Sequence, residues 1–114
     1  MRSYRVRRTA LALGILLAVV ASGVVGAQES MTVVVTHYAD TGVTYSGSYT
    51  RPGVAACSWN LPLGTLVRFQ DGREYRCEDR GQLGDVGWLD LWVGDVALAR
   101  QLGRYTATVE VIRP

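Results

Sequence analysis

Two alternating runs mirrored about a turn limit this chain more than anything else in it. Thr65-Leu66-Val67-Arg68-Phe69-Gln70 alternates apolar and polar residues, and Arg73-Glu74-Tyr75-Arg76-Cys77 repeats the pattern beyond Asp71-Gly72. An Asp-Gly link between alternating runs is the strongest short-range hairpin signal, because the glycine accepts the positive φ that a tight turn needs. The pattern predicts a hairpin with a two-residue link at Asp71-Gly72. Along its second strand Tyr75, Cys77 and Asp79 should share one face, with Asp79 where the strand runs out.

The rest of the chain is written in the same idiom. After Gln28 to Ser30 as a polar lead-in, Thr32 to Tyr38 is β-branched and reads as a strand. Val43 to Gly47 reads as a short strand between turns at Asp40-Thr41-Gly42 and Gly47-Ser48, followed by a break at Arg51-Pro52-Gly53. Val54 to Cys57, Trp88 to Val93 and Thr106 to Ile112 supply further strands. Asp95 to Gly103 is the one helix, with Asp95 as N-cap and Gly103 closing its C-terminal end. Short strands, glycine turns and a single short helix predict a mainly β fold, a small six-stranded barrel rather than an open sheet.

The first 27 residues stand apart. Arg2, Arg5, Arg7 and Arg8 precede an apolar run from Ala10 to Val20, and Val25-Gly26-Ala27 offers small residues for cleavage. That is the anatomy of a secretory signal peptide. A retained N-terminal anchor is the alternative, since the apolar stretch through Val25 almost suffices to span a bilayer. Without these residues, eight basic side chains face ten acidic ones, a net charge of −2 with no lysine. The basic balance therefore belongs to targeting, and a nucleic-acid partner is excluded from the expectation. Residues 28–114 form one domain, expected as a monomer that meets membrane only through a retained N-terminal segment.

Two cysteines in an exported chain most simply pair with each other. A Cys57–Cys77 bridge would close a loop of about twenty residues, contributing roughly 3 kcal/mol. A reactive thiol at position 57 is the competing reading. With one histidine and no ligand-spaced cluster, neither a metal nor a cofactor is expected.

Among the carboxylates, Asp71 serves a turn, Asp95 a cap, Asp40 and Asp85 sit beside glycines as turn residues, and Glu29, Glu74 and Glu110 lie on solvated faces. Asp90 differs, because a strand aspartate between Leu89 and Leu91, on a face with Trp88 and Trp92, has no turn to serve. Burial there would raise its pKa and suit it to general-acid work, unless it only accepts bonds from loop amides. Asp79, before Arg80-Gly81, reads as an acid/base partner, an Arg80 ion pair or a loop acceptor. Tyr38, Tyr45, Tyr49, Trp59, Tyr75, Trp88, Trp92 and Tyr105 include rings able to stack on sugars, though core packing should account for most. His37 reads as an exposed strand residue more readily than a catalytic one. Ser46 and Ser58 have no base partner in view, and no glycine-rich loop has phosphate-cradle spacing.

Taken together, these residues resemble a family. Thr36-His37-Tyr38 with Thr41-Gly42 and Ser46-Gly47, Arg51-Pro52-Gly53-Val54-Ala55-Ala56, Pro62-Leu63-Gly64-Thr65, Glu78-Asp79 with Gly81, Leu89-Asp90-Leu91, and Gly103-Arg104 before Thr106-Ala107-Thr108-Val109 are similar to the three-aspartate ("3D") domain. That domain is a double-psi β-barrel of bacterial cell-wall proteins, found also in membrane-bound lytic transglycosylase A. Asp79-Arg80-Gly81 is similar as well to rare lipoprotein A and expansin-like barrels. The resemblance implies an exported protein acting on peptidoglycan glycan strands by lytic-transglycosylase-like cleavage. The family's second and third aspartates fall on Asp79 and Asp90, making Asp90 the general acid/base, with Tyr38, Thr41, Arg80 and Trp88 binding substrate. The first aspartate falls on Cys57, and the loop between Asp79 and Asp90 lacks the family's usual basic residue. A cysteine held in a disulfide supplies no negative charge. That departure motivates the alternative, a non-catalytic glycan-binding or expansin-like wall-loosening module. A structural or protein-binding barrel is the third reading, since a shared fold does not fix a function.

Overall fold

The computed structural model describes residues 29–81 and 84–114. The expected N-terminal signal segment or anchor lies outside the described residues. Among those described, no helix is long and apolar enough to cross a membrane.

Six strands close into one barrel: β1 (Glu29–Tyr38), β2 (Val54–Cys57), β3 (Leu66–Arg68), β4 (Glu74–Asp79), β5 (Trp88–Trp92) and β6 (Tyr105–Ile112). Their order around the barrel is β1-β5-β2-β4-β3-β6, with β6 returning to β1. The sheet is mixed. β1 with β5 and β2 with β4 run parallel, and the other neighbours are antiparallel. Closure leaves no free edge along the strands, which protects a small β domain from pairing with other chains. The expectation of a small six-stranded barrel with one short helix is met.

Alternation fills the interior. Val33 and Val35 of β1, Leu89 and Leu91 of β5, and Val109 and Val111 of β6 point inward while their neighbours point out. Cys57 and Cys77 are joined by a disulfide within this core, so the paired reading holds and no thiol is free. β2 departs from alternation, since all four of its residues are buried. Apart from Phe69 and the disulfide, the interior is aliphatic. None of the eight tyrosines and tryptophans expected mostly to pack the core is among its buried residues, although Tyr75 packs partly against it. Short strands already place valine, leucine, alanine and the disulfide at the inward positions, which leaves the rings outside.

The hairpin forms with a different turn. Leu66 pairs with Arg76, Val67 with Tyr75 and Arg68 with Glu74, and Phe69 N–H bonds to Arg73 O at 2.8 Å. The loop is therefore the three residues Gln70-Asp71-Gly72, closed by Gly72 N–H to Phe69 O (3.0 Å) with Gly72 at φ 93°. Register explains the choice. A two-residue link would set Arg76 opposite buried Val67, whereas the longer loop sets Tyr75 there.

A second irregularity shapes the site. Ala55 pairs with Cys77 but Ala56 with Asp79, so Glu78 is an extra residue in β4. The bulge shifts the phase of the strand. Cys77 stays in the core, Glu78 is buried at 8% exposure, and Asp79 opens outward instead of sharing the face of Cys77. Glu78 accepts from Arg51 Nη2 (2.6 Å) and Ser48 Oγ. Burial opposes its ionisation, but these bonds outweigh it and hold the carboxyl below its usual range.

Two other expectations change at element ends. Glu29 and Ser30 belong to β1 rather than to a lead-in, paired with Val111 and Glu110 of β6. Val43 to Gly47 is not a strand. Val43 and Tyr49 form an isolated bridge, and Thr44 N–H to Ser48 O (2.6 Å) folds the segment into a tight loop. The helix α1 (Val96–Leu102) is as expected: Asp95 accepts from Ala97 N–H, and Gly103, at φ 66°, donates to Ala99 O.

Replacing Cys57 and Cys77 together by alanine should lower unfolding free energy by about 3 kcal/mol, since the bridge closes a 20-residue separation. Urea unfolding of oxidised protein against the double variant measures it. A loss below about 1 kcal/mol would contradict the cross-link's expected part in stabilising the barrel.

Candidate functional site

Register brings the two aspartates together. Ala56 of β2 partners Asp90 on one side and Asp79 on the other, and Thr36 of β1 partners Asp90 beyond. The row Thr36–Asp90–Ala56–Asp79 thus crosses four adjacent strands. Two inter-strand spacings separate the aspartate backbones, about 10 Å. Ala56, between them, is buried.

The two carboxylates have different surroundings. Asp79 accepts three hydrogen bonds: from Tyr38 Oη to Oδ2 (2.9 Å), and from the backbone N–H groups of Tyr45 (3.0 Å) and Arg80 (2.9 Å) to Oδ1. Asp90 accepts one, from Thr36 Oγ1 to Oδ1 (2.9 Å), and among the described residues its Oδ2 has no partner. Burial pushes the Asp90 carboxyl above the ordinary aspartate range. Thr36 and the nearby His37 act against that shift, while the charges of Asp79 and Asp40 add to it. Among the described residues no loop amide bonds to Asp90.

Tyr38 is bonded to Asp79 alone of the pair. Its side chain reaches from β1 across β5 and β2 to Asp79, and burial, then the bond to Asp79, pushes its phenol above the ordinary range. The raised phenol keeps its proton and donates to Asp79 at neutral pH.

A cleft of about 340 Å³ opens over this row, lined by Tyr38, Asp40, Thr41, Asp79, Arg80 and Asp90, with Gly42, Val43, Thr50 and Gly81 at its sides. Four of the expected site residues besides Asp90 are therefore gathered here: Asp79, Tyr38, Thr41 and Arg80. Trp88 is not. Its ring lies under the Arg104 guanidinium, 4.8 Å from the centroid, away from the cleft lining. Arg80 makes no ion pair with Asp79. Its Nη1 donates to the carbonyls of Cys57 and Ser58, each at 2.9 Å, and its guanidinium lies 4.8 Å over the Trp59 ring.

Thr36 and Asp40 were not singled out as site residues by sequence reasoning. Thr36 touches Asp90 only because β1 and β5 pair in parallel, 54 residues apart in the chain, and nothing local announces that pairing. Asp40, read as a turn residue, brings a third carboxylate to the cleft wall. Trp92 Nε1 holds its backbone carbonyl at 2.8 Å. Gly94 makes room for that indole, as a Cβ there would fall 2.6 Å from Trp92 Cη2. His37 is partly buried rather than exposed, with Nδ1 2.9 Å from Gly103 O at the end of α1.

The fold and cleft together define a class: a closed, mixed six-stranded barrel bearing an outward cleft with three aspartates, one of them held toward its protonated form. No family model matches the chain, and neither a curated protein nor a solved structure matches it. Among the described residues no group of histidine, cysteine and carboxylate side chains is arranged to hold a metal ion.

The contrast between the aspartates yields opposite stability effects. Asp79→Ala strands the Tyr38 hydroxyl and two backbone N–H groups, and should cost about 2 kcal/mol in urea unfolding. Asp90→Asn keeps an acceptor for Thr36 and removes a disfavoured charge, so it should leave stability at pH 7 unchanged or raise it. As pH rises, the unfolded chain loses this proton before the folded one does. The wild type should therefore fall behind Asp90→Asn from the ordinary aspartate pKa, about 3.9, up to the raised folded value, and no further beyond it. A wild type clearly more stable than Asp90→Asn at pH 7 would contradict this.

Proposed function

We propose that the chain is an exported cell-wall protein that cleaves peptidoglycan glycan strands, with Asp90 as general acid/base and the barrel a double-psi barrel of the three-aspartate kind it resembles. The observation that carries the reading is the asymmetry of the two aspartates facing one cleft. Asp90 is partly buried, pushed above the ordinary aspartate range, and accepts one hydrogen bond among the described residues, whereas Asp79 accepts three. A general acid needs those properties, and a positioning carboxylate needs the others. The disulfide in the core and the signal-like leader support an oxidising destination outside the cytoplasm.

In this mechanism protonated Asp90 gives its proton to the glycosidic oxygen as the bond from C1 of muramic acid breaks. The muramic acid 6-hydroxyl attacks C1, and its proton passes to the Asp90 carboxylate. The product is a 1,6-anhydro end, no water is consumed, and Asp90 returns to its starting state. Tyr38 and the two N–H groups fix the position of the Asp79 side chain on the cleft wall, beside the developing positive charge on the sugar. Arg80 and Thr41 line the same wall and bind the glycan.

A second reading is favoured by one feature. Cys57, where the resembled family has its first aspartate, is buried in the disulfide and offers the cleft nothing. If Asp40 does not serve in its place, the cleft is that of a non-catalytic glycan-binding or wall-loosening module.

Incubation with purified sacculi, followed by mass spectrometry of released fragments, separates the two. Turnover should yield anhydro-muropeptides, and Asp90→Asn should lower the rate by at least about 100-fold. The rate should decline on the basic side as Asp90 loses its proton, at a pH above the ordinary aspartate range. Binding without released fragments would leave the module reading, and activity that survives Asp90→Asn would remove Asp90 from its role.

A further inference from the structure

We propose that Trp59 and Tyr45 form a second glycan subsite, an aromatic corner that holds a pyranose ring beside the cleft and so selects long strands over short ones. This rests on the reading of the cleft as a glycan site. The two rings meet at 87° with centroids 5.7 Å apart, and they stay 54% and 63% exposed. A cluster of exposed rings on a domain whose core contains no tyrosine or tryptophan points to use rather than to packing.

Both rings are mounted on cleft residues. The Arg80 guanidinium lies over Trp59 and is itself fixed by the carbonyls of Cys57 and Ser58. The Tyr45 backbone N–H is one of the three donors to Asp79. A polymer leaving the open cleft past Asp79 and Arg80 therefore meets the corner next.

The chemistry of the corner suits a sugar. A pyranose has C–H-rich faces that lie on aromatic rings and hydroxyls at its rim that need polar partners. Among the described residues the indole N–H of Trp59 and the hydroxyl of Tyr45 make no hydrogen bond, while Tyr38 and Trp92 spend theirs inside the protein. Rings with their polar edges still available match a ligand that is apolar on its faces and polar at its edge. Tyr49 and Val43, on the same connection, are also exposed, at 70% and 65%, so contact with a second copy of this chain is the competing use.

The test uses the full chain with its disulfide intact, binding to chitin-derived disaccharide and hexasaccharide and co-sedimenting with purified sacculi. Trp59→Ala and, separately, Tyr45→Ala should weaken hexasaccharide and sacculus binding about tenfold while leaving the disaccharide unchanged. Repeated in the Asp90→Asn background, the same comparison between ring-intact and ring-truncated chains reads binding without turnover of the glycan. If the wild type binds hexasaccharide and both aromatic variants bind it equally well, the corner is overturned and the cleft reading stands. If the wild type binds no glycan at all, the cleft reading fails and takes the corner with it. Concentration-dependent self-association that both substitutions abolish, with glycan binding intact, would assign the corner to a second copy and overturn the subsite.

Discussion

The position of β2 is the constraint on which this molecule depends. It lies between a parallel neighbour, β4, and an antiparallel one, β5, with all four residues buried. The disulfide pins it to β4 one residue past Ala56, the residue that both aspartates flank. Slipping β2 by one residue against β5 would turn its side chains over and set Cys57 or Ala55 beside Asp90. The core cross-link and the outer site are thus two faces of one register.

The bulge at Glu78 completes the arrangement. Without the extra residue, alternation from buried Cys77 would carry Asp79 inward, where an ionised carboxylate has no counter-charge. With it, Glu78 takes the buried position and brings its own partners, Arg51 and Ser48, from the connection that also supplies Tyr45. Ser46 N–H to Glu78 O, at 3.0 Å, ties the same connection to the strand end. The cleft wall, the aromatic corner and the end of β4 are therefore one hydrogen-bonded unit. Asp79 is positioned by it. Asp90, on the neighbouring row, is left with a single bond and an unfavourable charge, the condition under which a carboxyl can give up a proton at a reacting oxygen.

Much of the fold was legible in local sequence. β-branched alternation marked Thr32 to Tyr38 and Thr106 to Ile112, Asp95 and Gly103 marked the helix ends, and two cysteines in a chain with an export-type leader marked the bridge. What escaped was non-local or a matter of phase. The parallel pairing of β1 with β5 joins residues more than fifty positions apart, so Thr36 could not be connected to Asp90. The three-residue turn and the bulge each depend on which side chain must face the core, which appears only once the opposite strand is in place. Asp90 was legible because a charged residue between two core leucines breaks the strand pattern with no turn to explain it. Asp40 was not, because its proximity to glycine offered a sufficient local reason. The aromatics misled, since their hydrophobicity suggested a core that smaller side chains had already filled.

The central claim is that burial beside the cleft holds the Asp90 carboxyl above the ordinary aspartate range. Carbon-detected NMR titration of the aspartate side-chain carboxyls measures this residue by residue, with Asp90→Asn identifying the signal. The Asp90 carboxyl should titrate above the ordinary aspartate range, about 3.9, and move down when Asp79 or Asp40 is replaced by asparagine. An Asp90 signal that titrates at or below that range would contradict the claim.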